Sequence, residues 1–192
     1  MKKLIILCLL PVEAGAIGAF FVSGADESGT VYTSGARVFI HRSGFWEDLI
    51  LQVGFVGNAS EFVWVIPVPA WPIVQRFNAS IFDELRTICH PRILHKEPDV
   101  TAVLPANLIP PPVTFGRTDV IQPGNPKALL RYMENTHCVV SRDAERVIED
   151  YAKRRWYFVI VWVRTSPVET ARWLEPIRIS FQSARAVLPL RA

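Results

Sequence analysis

The chain has 192 residues, half of them hydrophobic and a fifth charged, with a formal charge of +3. Such a composition fits one globular domain with a real core and excludes a disordered or fibrous chain. Setting aside Lys2, Lys3 and Glu13 leaves a net of +2, too little for a nucleic-acid footprint, so no nucleic-acid partner is expected.

The amino terminus, MKKLIILCLLPVEAGAIGAFF, carries two lysines, an apolar run from Leu4 to Leu10, and then small residues at Ala14, Ala16, Gly18 and Ala19. This is the layout of a secretory signal, with cleavage after Ala16 or Ala19. Spanning a bilayer takes about 20 apolar residues, and Pro11 and Glu13 break this run early. The sequence therefore predicts a signal over 1–19, a single domain over 20–192, and a place in the periplasm or on the cell surface. Membrane contact is expected only through an uncleaved amino-terminal segment.

Arg37 to Arg42 reads as a short strand that pairs across Ser43-Gly44 with the next one. In that next strand Leu49, Leu51, Val53 and Phe55 share one face, the period-two pattern of a half-buried strand. Gly57-Asn58-Ala59-Ser60 supplies the backbone freedom of a reversal, which predicts a hairpin into Phe62–Val68. That second strand is apolar on both faces and belongs inside a sheet, and Pro67 and Pro69 mark where its pairing stops.

An irregular Ala70-Trp71-Pro72 leads to a helix from Ser80, an N-cap with Asp83 and Glu84 in the first turn. Ile81, Leu85 and Ile88 form its packing face, and Pro91 ends it. Residues 91–112 hold six prolines and read as a long surface loop. Thr114–Ile121 is a strand; Asn125-Pro126 starts a helix carrying Ala128, Leu129, Leu130 and Met133. Ser141 caps a third helix with Ala144, Val147, Ile148 and Tyr151 on one face. Lys153-Arg154-Arg155 closes it, with cations where the helix dipole favours them.

Tyr157–Val163 is again apolar on both faces. Pro176–Ser183 alternates, with Ile177, Ile179 and Phe181 inward, and Ala186–Arg191 reads as a final edge strand. The order of elements predicts an α+β fold: a largely antiparallel β-sheet with about three helices packed on it.

Gly18-Ala19-Phe20-Phe21, Phe62 through Pro69, Phe82-Asp83-Glu84-Leu85, Pro91-Arg92, Tyr151 through Val159, Pro176-Ile177-Arg178 and Leu188 through Arg191 occur in this order. Together they resemble the prokaryotic family catalogued as domain of unknown function 2330. The resemblance implies an exported domain, often tethered by a carboxy-terminal membrane helix, and brings no activity with it. Ile17 and Val22 stand where the family commonly has cysteines, and the chain stops at Ala192 without a hydrophobic tail.

Reactive constellations are sparse. Cys89, His90 and His95, with Glu97 and Asp99, form the densest set of metal-ligand types, but their spacing matches no zinc pattern. Cys89 and Cys138 either pair, contributing roughly 4 to 5 kcal/mol, or remain buried thiols. No Gly-x-Ser-x-Gly, P-loop or dinucleotide fingerprint occurs, so no nucleotide cofactor is expected; His41, His90, His95 and His137 are the available bases. Asn58 and Asn78 fit the glycosylation acceptor pattern. Trp71 is the candidate exposed aromatic, where a sugar or a partner protein can stack. The sequence thus points to an exported binding or structural module whose partner is an envelope protein or a glycan. The alternatives are a hydrolase-type envelope enzyme and a metal-binding envelope protein.

Overall fold

In the computed structural model, residues 17–24, 29–89, 111–122, 126–166 and 168–189 are described. Among these residues nine strands and three helices run in the order β1 (Ala19–Val22), β2 (Val31–Ser43), β3 (Trp46–Gly57), β4 (Glu61–Val68), β5 (Ile73–Arg76), α1 (Ser80–Cys89), β6 (Thr118–Ile121), α2 (Pro126–Asn135), α3 (Arg142–Lys153), β7 (Tyr157–Arg164), β8 (Val168–Trp173) and β9 (Ile177–Gln182). The α+β class is as expected, and every named strand pairing is antiparallel. The strands, however, form two sheets, one of order β1-β4-β7-β6 and one of order β2-β3-β9-β5 with β8 also on β3.

The two-faced apolar strands explain the layering. β4 and β7 pair along their whole length, from Glu61 opposite Arg164 to Val68 opposite Tyr157. One face of this pair, with Phe62, Trp64, Ile66, Val159, Val161 and Val163, shares a core with Leu49, Leu51, Val53 and Phe55 of β3 and Ile177, Ile179 and Phe181 of β9. The opposite face, with Val63, Val65, Phe158 and Ile160, packs under Leu129 and Met133 of α2 and Ile148 and Tyr151 of α3. A strand covered by a second sheet on one side and by helices on the other has no use for polar side chains.

The expected hairpin between β3 and β4 is corrected, because the chain passes there from one sheet to the other. Asn58 and Ala59 donate their amides to the Thr30 carbonyl, and Asn58 Oδ1 accepts from the Thr30 amide at 2.7 Å. The turn thus fastens the entry of β2 instead of pairing its own flanking strands. Gly57, at φ 153°, lies so close to Thr30 that a Cβ would strike the carbonyl oxygen.

Other differences are local. Asn78 Oδ1 accepts from the Ser80 amide at 3.0 Å, so Ser80 is the first residue of α1 and Asn78 closes its start. Phe82 is buried and Ile88 is 72% exposed, so the packing face of α1 is displaced by about a quarter of a turn from the predicted one. Burial lowers the Arg37 pKa, with Asp83 and Arg86 acting on it across space. β5 and β8 were not anticipated, and the strand expected over 114–121 is confined to Thr118–Ile121. Residues 186–189 form no strand. Val187 donates its amide to both oxygens of the buried Glu47 carboxylate, at 3.0 and 3.2 Å.

The first described residues belong to the core. Ile17 is buried, and its carbonyl accepts from Trp64 Nε1 at 2.8 Å. Gly18 has φ 81°, and a Cβ there would meet the Val65 carbonyl oxygen. β1 then pairs with β4 from Ala19 opposite Val65 to Val22 opposite Phe62. No helix among the described residues is long and apolar enough to cross a membrane.

Candidate functional site

Beyond the carboxy-terminal end of α2, the helix-facing side of the four-stranded sheet is left uncovered. An open cavity of about 700 Å³ lies there, lined by Ser23, Glu61, Thr114, Phe115, Gly116, Arg117, Thr136, Trp162 and Arg164. Each wall follows from strand register. Glu61 and Arg164 are Cα partners at the ends of β4 and β7, so their side chains meet on one face, and Arg164 Nε lies 2.9 Å from Glu61 Oε1. Trp162 sits two residues before Arg164 on the same face. It is tied to the preceding segment by Gly116 N to Trp162 O at 2.7 Å and Trp162 N to Arg117 O at 3.0 Å.

A second tier holds Trp162 and Arg117 in place. The Tyr132 hydroxyl, from α2, donates to Asp119 Oδ2 at 2.5 Å and accepts from Trp162 Nε1 at 2.9 Å. Arg117 approaches the same hydroxyl at 3.4 Å and Asp119 at 3.2 Å, with its guanidinium 5.0 Å from the centre of the Trp162 ring. Burial, with the bond to Asp119, raises the Tyr132 pKa above its ordinary value. The phenol is therefore held neutral, bonded to Asp119 and Trp162 at once. Tyr132 and Asp119 also hold the Arg117 guanidinium firmly protonated, and Glu61 adds to this.

The opposite surface carries a polar cluster of another kind. On the outer face of the five-stranded sheet, Asp48 accepts from Ser180 Oγ at 2.6 Å, Arg178 Nη2 at 3.0 Å and His41 Nδ1 at 3.3 Å. Burial opposes the Asp48 charge, but these three donors outweigh it and hold its pKa below the ordinary value. Serine, histidine and aspartate meet here in the wrong order for acyl transfer. The carboxylate stands between the other two, and Ser180, only 9% exposed, donates to it without touching a base.

Of the residues singled out in the sequence, Trp71 is 54% exposed, its ring edge-on to Tyr157 with centroids 5.7 Å apart. It lies away from the basin lining. Cys138 is a free buried thiol beside Thr136, and burial pushes its pKa up. The backbone of Cys89 ends α1. His90, His95, Glu97 and Asp99 lie outside the described residues, and among the described residues no cluster of metal-ligating side chains occurs. Asn58 and Asn78 are exposed, with their side-chain oxygens engaged as above. The basin residues were not anticipated. A signal was present in the charge at each end of the apolar strands, Glu61 before Phe62 and Arg164 after Val163, but only the pairing of β4 with β7 joins them.

Residues 113–192 match the family model DUF2330, described as an uncharacterized protein conserved in bacteria. The match takes in β6 to β9, α2 and α3. Of the resembling motifs it contains Tyr151 through Val159, Pro176-Ile177-Arg178 and Leu188 through Arg191. No curated protein and no solved structure matches the chain.

Proposed function

We propose, from the premise that residues 113–192 carry DUF2330 sequence and that this name brings no activity with it, that the chain is an exported, non-catalytic binding module whose partner enters the basin. The observation that carries this reading is the state of the basin's polar groups. They converge on a concave site of the size that small ligands occupy, yet its charged groups and its phenol are each spent on a neighbour: Arg164 on Glu61, Arg117 on Asp119, Tyr132 between Asp119 and Trp162. A catalytic site keeps a nucleophile within reach of a base. Here the groups form a fixed surface with valences left over for recognition.

Export is supported by Lys2, Lys3, the apolar run Leu4–Leu10 and the small residues after it. Cleavage after Ala16 agrees better with the fold, since it spares the core of the described residues, whereas cleavage after Ala19 takes Ile17, whose carbonyl holds Trp64, and Gly18, whose backbone fits under Val65.

The test is retention of the purified chain on a sedimentable cell-envelope preparation. Wild type is expected in the pellet and a Glu61→Ala, Arg164→Ala double variant in the supernatant. Equal sedimentation of the two overturns the basin as the contact. Hydrolysis of envelope material that vanishes in the double variant replaces binding by catalysis.

A further inference from the structure

Resting on the basin as a binding site, we infer that its ligand is a neutral oligosaccharide. Charge comes first. The two guanidinium groups face two carboxylates, Arg117 with Asp119 and Arg164 with Glu61, and Glu61 also acts on Arg117 across the floor. The site therefore holds no surplus charge. A phosphate or polyanion would have to displace Glu61 or Asp119 from its arginine, and a polycation would face the two arginines.

Hydrogen-bonding capacity comes second. Arg164 engages Glu61 through Nε, which leaves its two Nη groups, and the Ser23 and Thr114 hydroxyls line the same cavity. Glu61 is bonded through Oε1, leaving Oε2 as an acceptor. The wall thus offers both donors and acceptors. A sugar hydroxyl donates and accepts at once, and vicinal hydroxyls span the two edges of a guanidinium or carboxylate, so such a wall suits a polyol better than a ligand of one polarity.

The aromatic ring comes third. Trp162 lines the cavity with its Nε1 already tied to Tyr132, so the indole is held still before any ligand arrives. A rigid ring offers contact area at little entropic cost, and the part of it that the Arg117 guanidinium leaves uncovered suits the carbon-bound hydrogens of a pyranose. The volume of about 700 Å³ admits more than one sugar ring.

The experiment titrates the full chain with neutral tetrasaccharides of glucose and of N-acetylglucosamine, with a tetrasaccharide of galacturonate as the charged control. The Trp162 indole N–H resonance, assigned by Trp162→Phe, is the readout. A neutral saccharide is expected to shift that resonance saturably and to keep its affinity in about 0.5 M salt, where ionic contacts are screened. Arg164→Ala is expected to weaken binding about tenfold, one charge-assisted hydrogen bond, without unfolding, since the Arg164 side chain is 84% exposed. Binding of the uronate alone, lost in salt, overturns the inference, as does silence with every neutral saccharide or undiminished affinity in Arg164→Ala. Envelope retention that needs Arg164 while no saccharide binds fails the ligand class only; loss of both fails the basin.

Discussion

The two sheets bury their central strands differently. β4 and β7 are covered on both faces, by the second sheet and by α2 and α3, whereas β3 and β9 turn one face inward and present Asp48, Arg178, Ser180 and Gln182 on the other. Polar chemistry therefore collects in two places: over the outer face of the five-stranded sheet, and at the end of the four-stranded sheet where the helices stop. Asp48 is saturated by three donors beside the buried Ser180, Ile50 and Gln52. The basin is concave and keeps valences to spare. Accessible space, more than the number of charges, separates a structural network from a recognition site.

The contrast breaks first at Trp64. Its replacement by Ala removes the largest fully buried side chain of the shared core and the anchor of Ile17. A loss of about 3–5 kcal/mol is expected in urea unfolding, enough to leave much of a marginally stable domain unfolded. A loss below about 1 kcal/mol would show that the two sheets do not share one core.

A middle-sized effect belongs to the outer sheet and depends on pH. Asp48 has a lowered folded-state pKa, so its stabilisation is present above its ordinary value of 3.8 and is lost as pH falls through the lower one. Asp48→Asn should cost about 1–2 kcal/mol at neutral pH, and the gap to wild type should close in acid. Glu47, held up chiefly by burial against the Val187 amide and Arg42, works with the opposite sign. It favours the fold while protonated, and that favour is lost as pH rises above its ordinary 4.5 through the raised value. Glu47→Gln should therefore gain on wild type over that rise. Urea midpoints collected at several pH values check both slopes, and parallel curves for the two variants would remove the distinction.

The smallest change tests the helical cover. Ser141 Oγ accepts from the Ala144 amide at 3.2 Å at the start of α3, so Ser141→Ala should cost about 1 kcal/mol. The reduced hydrogen-exchange protection should be confined to α3; protection lost equally in β3 and β9 would show that this helix is not a separate cover.

Much of this architecture was legible in the residues. Phe62–Val68 and Tyr157–Val163 declared themselves as inner strands because both faces are apolar, Ile177, Ile179 and Phe181 by strict alternation, and α3 by Ser141 and its four-residue stripe. Which sheet each strand joins was not legible. Gly57-Asn58 has the chemistry of a hairpin, and nothing local shows that its hydrogen bonds go to Thr30 instead. The basin was hidden for the same reason, since Glu61 and Arg164 stand 103 positions apart and Tyr132 meets Asp119 only once α2 lies on the sheet. The stripe of α1 misled because Phe82, outside it, is the side chain that is buried.

β9 inserts between β3 and β5, and β7 between β4 and β6, so the strand of each sheet that comes last in chain order is an inner one. A ribosome that has released everything up to α3 holds a chain with the β2–β3 hairpin and the β1–β4 pair but without the centre of either sheet. Contacts so distant along the chain close slowly, and neither sheet can close before β7 and β9 have been made. Under the export reading, that delay is the interval in which an unfolded chain can be threaded through a secretion channel, and folding is completed on the far side.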